Sequence, residues 1–191
     1  MKYNIIYADP PWHFSGGIRS SKKDASGNFL FYTPDTTVGK SYQTQGDDWI
    51  AQLPISDWAD DDCVLFLWTT DAHLTTALKV IEAWGFSYRT VGFVWNKKER
   101  SGKQVCYYGK WTMKGTELCL LATKGKPHGL IKSHKVRQLV EAERRGHSQK
   151  PAEVRRRIVE LLGDLPRIEL FAREREDGWD AWGSEAPESV A

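Results

Sequence analysis

Cys63-Val64-Leu65-Phe66-Leu67-Trp68 is an unbroken apolar run bounded by Asp62 and Thr69. A short run of this kind, with no polar residue on either alternation, predicts a strand buried on both faces. Asp71 follows as the predicted cap of a helix running to about Trp84, with Leu74, Ala77, Leu78 and Ile81 spaced to share one face. Gly85 closes that helix. Tyr88 to Trp95 reads as a second buried strand and Thr116 to Thr123 as a third. Upstream, Tyr3-Asn4-Ile5-Ile6-Tyr7-Ala8 is rich in β-formers and stops at Asp9-Pro10-Pro11, because prolines cannot donate to a strand ladder. Trp49 to Leu53 is a short helix with Asp47 or Asp48 as its cap. Downstream, Pro151 opens a helix to about Leu162 with Val154, Ile158, Leu161 and Leu162 inward, and Arg167 to Phe171 is the last clear strand. Apolar strands alternating with amphipathic helices predict an α/β fold with a mostly parallel central sheet. Ligands of such sheets bind beyond the carboxyl ends of the strands. The segments that follow strands here are Asp9-Pro10-Pro11-Trp12, Trp68-Thr69-Thr70-Asp71 and Ala172-Arg173.

The remaining segments are read as loops. Residues 13 to 47 are polar with little periodicity, and Asn96 to Gly115 is basic and aromatic; loops of that length are usually functional. Lys124-Gly125-Lys126-Pro127 is a turn. With 40% hydrophobic and 27% charged residues in 191, the chain has the balance of an ordinary globular domain. No apolar run is long enough to span a bilayer or to serve as a signal peptide, so no membrane partner and a cytoplasmic location are expected. Three cysteines without a Cys-x-x-Cys pair argue against a disulfide framework and a zinc site. Cys63 and Cys119 read as buried and Cys106 as exposed. The net charge of +2 is small, but basic residues cluster in 97 to 103 and recur through Lys132, Lys135, Arg137, Arg144, Arg145 and Lys150. Such clusters suit phosphate, and equally a solvated face. Nine tryptophans serve either core packing or an interface, including a homo- or heterodimer.

Asp9-Pro10-Pro11-Trp12 carries the strongest chemical signal. An exocyclic aromatic amine is a poor nucleophile because its lone pair is delocalised into the ring. Two fixed acceptors for its N–H groups favour a pyramidal nitrogen and return the lone pair to it. Asp9 supplies a carboxylate, and Pro10 a carbonyl held rigid by the proline after it. Trp12 supplies a flat face for an extruded base. By spacing alone, the same four residues are equally a proline turn with a packed tryptophan. No Gly-x-Gly-x-x-Gly, phosphate loop or metal-ligand helix is present, so no kinase, nicotinamide enzyme or metal centre is predicted.

Asp-Pro-Pro-Trp after an N-terminal strand resembles the MT-A70 family of N6-adenine methyltransferases. The resemblance continues in order through Leu65-Phe66-Leu67-Trp68-Thr69-Thr70, Trp84-Gly85-Phe86, Val94-Trp95, Gly115-Thr116-Glu117-Leu118-Cys119-Leu120, Lys124-Gly125-Lys126-Pro127, His147-Ser148-Gln149-Lys150-Pro151 and Ile168-Glu169-Leu170-Phe171-Ala172-Arg173. It implies a Rossmann-like methyltransferase fold with permuted motif order, the catalytic motif first and the cosubstrate motif last. It further implies one methyltransferase domain over residues 1–185, followed by a disordered tail over 186–191. The implied cosubstrate is S-adenosylmethionine, held by Asp9, Lys150, Phe171, Arg173, Ser184 and Glu185. Ser184 and Glu185 stand where the family often has asparagine and glutamine, and Ala172 where glycine is common. Asp9, Pro10, Pro11 and Trp12 are the implied catalytic residues. Trp12, Lys110, Trp111, Lys114 and Glu117 are the implied substrate contacts, although Glu117 also reads as a strand residue facing solvent. Asp71 and His73 lie near a strand end, and are read as a helix cap and a surface residue. The expected substrate is DNA, because the chain is little more than a catalytic core; RNA is the alternative, and a non-catalytic partner subunit a third reading.

Overall fold

The computed structural model describes residues 1–12, 18–23, 29–32, 47–109, 111–146 and 149–183. Seven strands form one sheet in the order β7-β5-β6-β4-β1-β8-β9. They are β1 (Tyr3–Ala8), β4 (Ala59–Thr69), β5 (Ser87–Lys98), β6 (Thr116–Lys124), β7 (Leu139–Glu143), β8 (Arg167–Leu170) and β9 (Asp180–Trp182). Two others, β2 (Ile18–Lys23) and β3 (Phe29–Tyr32), pair antiparallel in a small separate sheet. The helices are α1 (Asp47–Ala51), α2 (Ile55–Trp58), α3 (Leu74–Ala83) and α4 (Ala152–Leu162). No helix among the described residues is long and apolar enough to cross a membrane.

Pairings β1–β4, β1–β8, β5–β7 and β8–β9 are parallel, while β6 runs antiparallel to both β4 and β5. The expected mostly parallel α/β sheet is therefore present, with one reversed strand. Two-residue alternation sorts its side chains into two cores. Ile6, Ala8, Leu65 and Leu67 pack with Ile50, Ile55, Val80, Ile81 and Trp84 of the α1–α3 side. Ile5, Tyr7, Val64, Phe66 and Trp68 pack with Val154, Ile158 and Leu162 of α4. Both faces of β1 and of the apolar half of β4 are thereby filled, which is why those segments carry apolar residues in both registers.

Helix α3 ends in a Schellman motif: Phe86 N–H donates to Ile81 O at 3.0 Å and Gly85 N–H to Glu82 O at 2.9 Å, with Gly85 at φ 80°. Its buried stripe is Ala77, Val80 and Ile81, whereas Leu74 is exposed. On α4, Glu153 lies in the first turn and Val154, Arg155, Ile158 and Leu162 are buried; Leu161 is only partly covered. Cys63 and Cys119 are buried and Cys106 is exposed, as expected. Trp12, Trp68, Trp84, Trp95 and Trp179 are core residues, so most of the tryptophan content is packing.

Several expectations need correction. Asp71 does not cap α3, since neither the short 3-10 turn Asp71–His73 nor α3 has a side-chain cap bond. The segment 88 to 95 is not buried on both faces: the first half of β5 is exposed, and β7 pairs only with the second half, from Val94 to Lys98. The strand continues to Lys98, so the second loop begins later than Asn96. Strands β2 and β3 lie within the segment 13 to 47 read as a long loop, and β7 and β9 were not anticipated. The expected disordered tail over 186–191 lies outside the described residues.

Gly85 and Gly125 both have positive φ, but in different surroundings. A Cβ on Gly85 would come no nearer than 3.7 Å to Ser56, whereas on Gly125 it would lie 2.1 Å from the Asp61 carbonyl oxygen. Urea denaturation of Gly85→Ala should show a loss of roughly 1–2 kcal/mol, the cost of a left-handed alanine. Gly125→Ala should lose more than ~3 kcal/mol, because backbone must move. Equal losses would show that the turn at Gly125 yields freely.

Candidate active site

The carboxyl end of β1 lies in the middle of the sheet. Ala8 is level with Leu67 of β4 and Leu170 of β8. Because β6 is reversed, its first residues reach the same edge: Leu118 is opposite Thr69, and Glu117 opposite Trp95. At this edge the Asp9 N–H donates to the Leu170 carbonyl at 3.5 Å, and the prolines then end the ladder. The Trp12 N–H turns back to the Pro10 carbonyl at 2.9 Å. One lone pair of that carbonyl is left for another donor.

Trp12 is fixed from two sides. Its indole N–H donates to the Trp68 carbonyl at 3.0 Å, and its ring stacks on His73 with centroids 5.9 Å apart. Trp68 in turn donates from its indole N–H to the Tyr7 hydroxyl at 2.6 Å. His73 is not a surface residue, as its type and position suggested: it is 7% exposed, and Nδ1 shares a hydrogen bond of 2.9 Å with Thr70 Oγ1. The 3-10 turn after β4 directs its ring inward onto Trp12. The adjacent Asp71 carboxylate faces outward and accepts from the Lys114 ammonium.

A row of charges, three of them buried and Asp9 half-buried, runs along the edge. Lys97 Nζ is 2.5 Å from Glu117 Oε1, Glu117 Oε2 is 3.3 Å from Lys150 Nζ, and Lys150 Nζ is 2.8 Å from Asp9 Oδ2. Lysine ammoniums buried like these are tolerated only when paired. Burial pushes the Asp9 carboxyl above its ordinary range, against the pull of Lys150. Burial would raise Glu117 too, but Lys150 and Lys97 together hold it below the ordinary range. Burial works against the charged form of Lys150, but Asp9 and Glu117 outweigh it and raise the ammonium. Glu117 is thus a buried residue rather than one facing solvent, at 8% exposure. Lys150 and Lys97 belong to the interior and not to a basic surface.

The far wall is the segment after β8. Phe171 adopts φ 61° and stands edge-on to Trp182 at 5.4 Å and Trp49 at 6.5 Å. The charge of Arg173 acts on Asp9. Beneath this segment, Arg155 donates to both oxygens of Glu169 at 3.0 and 2.9 Å and to Glu176 at 3.2 Å. Gln149 reaches Glu174 at 2.9 Å, which ties the chain beside Lys150 to the same loop. Across the edge, Tyr107 and Lys114 exchange backbone bonds of 2.6 and 2.8 Å and form the base of a hairpin. Trp111, near its tip, is 93% exposed. Lys110, His147, Ser148, Ser184 and Glu185 lie outside the described residues.

Asp9, Trp12, Glu117, Lys150 and Arg173 therefore meet at one edge, with Phe171 beside them. His73, Trp68 and Lys97 belong to the same assembly and were missed as members of it. The Thr70-to-His73 spacing of one short turn was the available hint for His73; for Lys97 there was none beyond a run of basic residues.

A mostly parallel α/β sheet with Asp-Pro-Pro-Trp at the carboxyl end of an interior strand is the arrangement that the resemblance to Rossmann-like amino-methyltransferases implied. The chain matches the MT-A70 family over residues 3–185. It is 36% identical over 194 residues to the type II methyltransferase M.MunI of Mycoplasma sp, covering 98% of this chain and 79% of that protein. It is 29% identical over 178 residues to the N(6)-adenosine-methyltransferase catalytic subunit METTL3 of Homo sapiens, covering 90% of this chain and 26% of that protein. The Drosophila melanogaster N(6)-adenosine-methyltransferase MT-A70-like protein is 28% identical over 178 residues, of which this chain spans 24%. The chain belongs to the MT-A70 family, the S-adenosylmethionine-dependent N6-adenine methyltransferases.

Burial outweighs the two bonds from Arg155 and raises the Glu169 carboxyl from 4.5 to about 7. A carboxyl raised in this way keeps its proton in the folded chain where the unfolded chain has lost it. Its contribution to stability is therefore full below about pH 4.5 and is lost as pH rises through 7. Thermal unfolding from pH 5 to 8 should show that loss, at most about 3 kcal/mol. Glu169→Gln, though less stable overall, should lack this part of the slope; an identical slope would assign the dependence to other groups.

Proposed function

We propose that the chain methylates N6 of adenine in DNA, with the adenine extruded from the stack or already single-stranded. The observation that carries this reading is the Asp9 carboxylate, held at 2.8 Å by Lys150 beside the Pro10 carbonyl at the end of β1. Asp9 and the free lone pair of Pro10 O accept the two N–H groups of the amine, and Pro11 keeps that carbonyl rigid. Trp12, buried and stacked on His73, fixes the turn that presents the Pro10 carbonyl. When bound, S-adenosylmethionine supplies an electrophilic methyl on a cationic sulfur. The residues present suit it: Asp9 and Glu117 are acidic toward a cation, Phe171 is aromatic toward an adenosyl group, and Lys150 and Arg173 are cationic toward a carboxylate. Bound there, S-adenosylmethionine would supply that methyl to the amine nitrogen, and Asp9 would accept the proton the nitrogen gives up. A carboxyl raised by burial has the affinity for that step. Positioning and fixed charge do the rest.

The exposed Trp111 and the nearby Lys110 and Lys114 are assigned to nucleic-acid contact, and Glu117 to the adenine side of the pocket. Ser184 and Glu185 are assigned to the cosubstrate. DNA is preferred because the chain spans most of the M.MunI methyltransferase but a quarter of METTL3. The METTL3 likeness supports RNA as the second reading. The likeness to the Mycoplasma methyltransferase supports a cytoplasmic location.

Purified chain, radiolabelled cosubstrate, and matched DNA and RNA oligomers test this. The expected result is adenine-dependent label in DNA, reduced about 100-fold or more in Asp9→Ala. Faster turnover on RNA would replace the first reading by the second. Cosubstrate binding without transfer to either polymer would favour a non-catalytic subunit.

A further inference from the structure

Lys97 is a buried lysine that the reading above leaves without a role. It is the last residue but one of β5, 9% exposed, with its ammonium 4.9 Å from the Trp95 ring centroid and 5.7 Å from that of Tyr107. An ammonium placed there costs desolvation that an apolar residue would avoid. What it meets is Glu117 Oε1, at 2.5 Å. The other oxygen of Glu117 is 3.3 Å from Lys150 Nζ, and that nitrogen is 2.8 Å from Asp9. The four side chains alternate in sign from β5 to β1, with Lys97 at one end and Asp9 at the other.

We infer that Lys97 is a positioning residue for methyl transfer: by occupying one oxygen of Glu117, it leaves Lys150 held on Asp9 instead of drawn away to Glu117. The inference rests on the reading of Asp9 as the acceptor of the amine. Without Lys97 the row has two carboxylates and one ammonium, with the charge of Arg173 acting on Asp9 from outside the row, and carboxylates that share an ammonium compete for it. The competitor is close, since Lys150 already lies within ion-pair distance of both. Asp9 is then the carboxylate left weaker held. Its own surroundings support this outcome. Lys150 and Arg173 favour its charge, while Glu117 opposes it; the Tyr7, Cys119 and Glu169 groups also interact with it. Burial already favours the proton on Asp9, whereas Glu117 is held low by Lys150 more than by Lys97 and keeps Lys150 when Lys97 is gone. A proton taken up by the weakened row therefore goes to Asp9 first, and a protonated Asp9 has lost much of its capacity as acceptor.

The test follows the Asp9 carboxyl by 13C NMR in the ligand-free chain, beside the pH profile of kcat/KM on the oligomer that wild type methylates. In Lys97→Met the Asp9 titration should move up by about one pH unit, a tenfold change in proton affinity. The acid limb of the profile should move with it, and the loss of rate should recover at high pH. Lys97→Gln keeps one hydrogen-bond donor but no charge and should give the same shift if Lys97→Met does not fold. Lys97→Arg should restore both the titration and the profile, which a purely structural role would not require. An unmoved Asp9 titration in a folded Lys97→Met or Lys97→Gln chain overturns the inference. A higher KM for the oligomer with an unmoved profile also overturns it, and makes Lys97 a phosphate contact. If the titration moves but Asp9→Asn keeps full activity, the row stands and the reading of Asp9 as acceptor fails.

Discussion

Strand β1 is paired in parallel with β4 on one side and β8 on the other, and both of its faces are buried. That constraint positions everything at the active edge. Asp9 is the first residue past the strand, so its carboxylate leaves the sheet where β4 and β8 also end. The prolines that follow stop the ladder at that point and turn the chain so that Trp12 comes back against Trp68. A strand at the sheet's rim would leave Asp9 with a neighbour on one side only. In the middle, it receives Lys150 from the segment before α4, Glu117 from the start of β6, and the charge of Arg173 from beyond β8.

The reversed β6 matters for the same reason. A parallel strand in its place would send its first residues to the opposite edge. Running backward, it brings Glu117 to the carboxyl end of its neighbours and sets the Tyr107–Lys114 bridge in the connection between β5 and β6. Lys97 near the end of β5 and Glu117 near the start of β6 are thereby brought within bonding distance across twenty residues of chain. The two ammoniums and two carboxylates compensate one another in surroundings where none would be stable alone.

The strands legible in the sequence are those that carry apolar residues on both faces: 5–8, 63–68 and 118–122 are unbroken apolar runs. Helices α3 and α4 were legible from spacing and from Gly85 and Pro151. The edge strands were not. Leu139-Val140-Glu141-Ala142-Glu143 has one buried side chain, and Asp180-Ala181-Trp182 is too short for a pattern to emerge. The first half of β5 has aromatic and β-branched residues that suit burial, yet lies exposed. Asp-Pro-Pro-Trp stood out because its groups are consecutive. The charge row did not, because Asp9, Lys97, Glu117 and Lys150 come from four segments and each taken alone resembles a surface charge. His73 was misread for a similar reason: its partner, Trp12, lies on another strand's end.

The pairing of β1 with β8 has a consequence for how the molecule is made. Ile5 is level with Arg167, and Ala8 with Leu170. An early segment of the chain therefore waits for one synthesised some 160 residues later. Until Leu170 has left the ribosome, one flank of β1 has open backbone donors and acceptors, and the Lys150 side of Asp9 has no wall behind it. Loop closure over such a distance is slow compared with the local pairing of β5 and β6. A partly made chain can thus hold the antiparallel part of its sheet and bury much of α3 while its chemistry is still unassembled. The enzyme comes into being late in its own synthesis, when the last strands dock on the first.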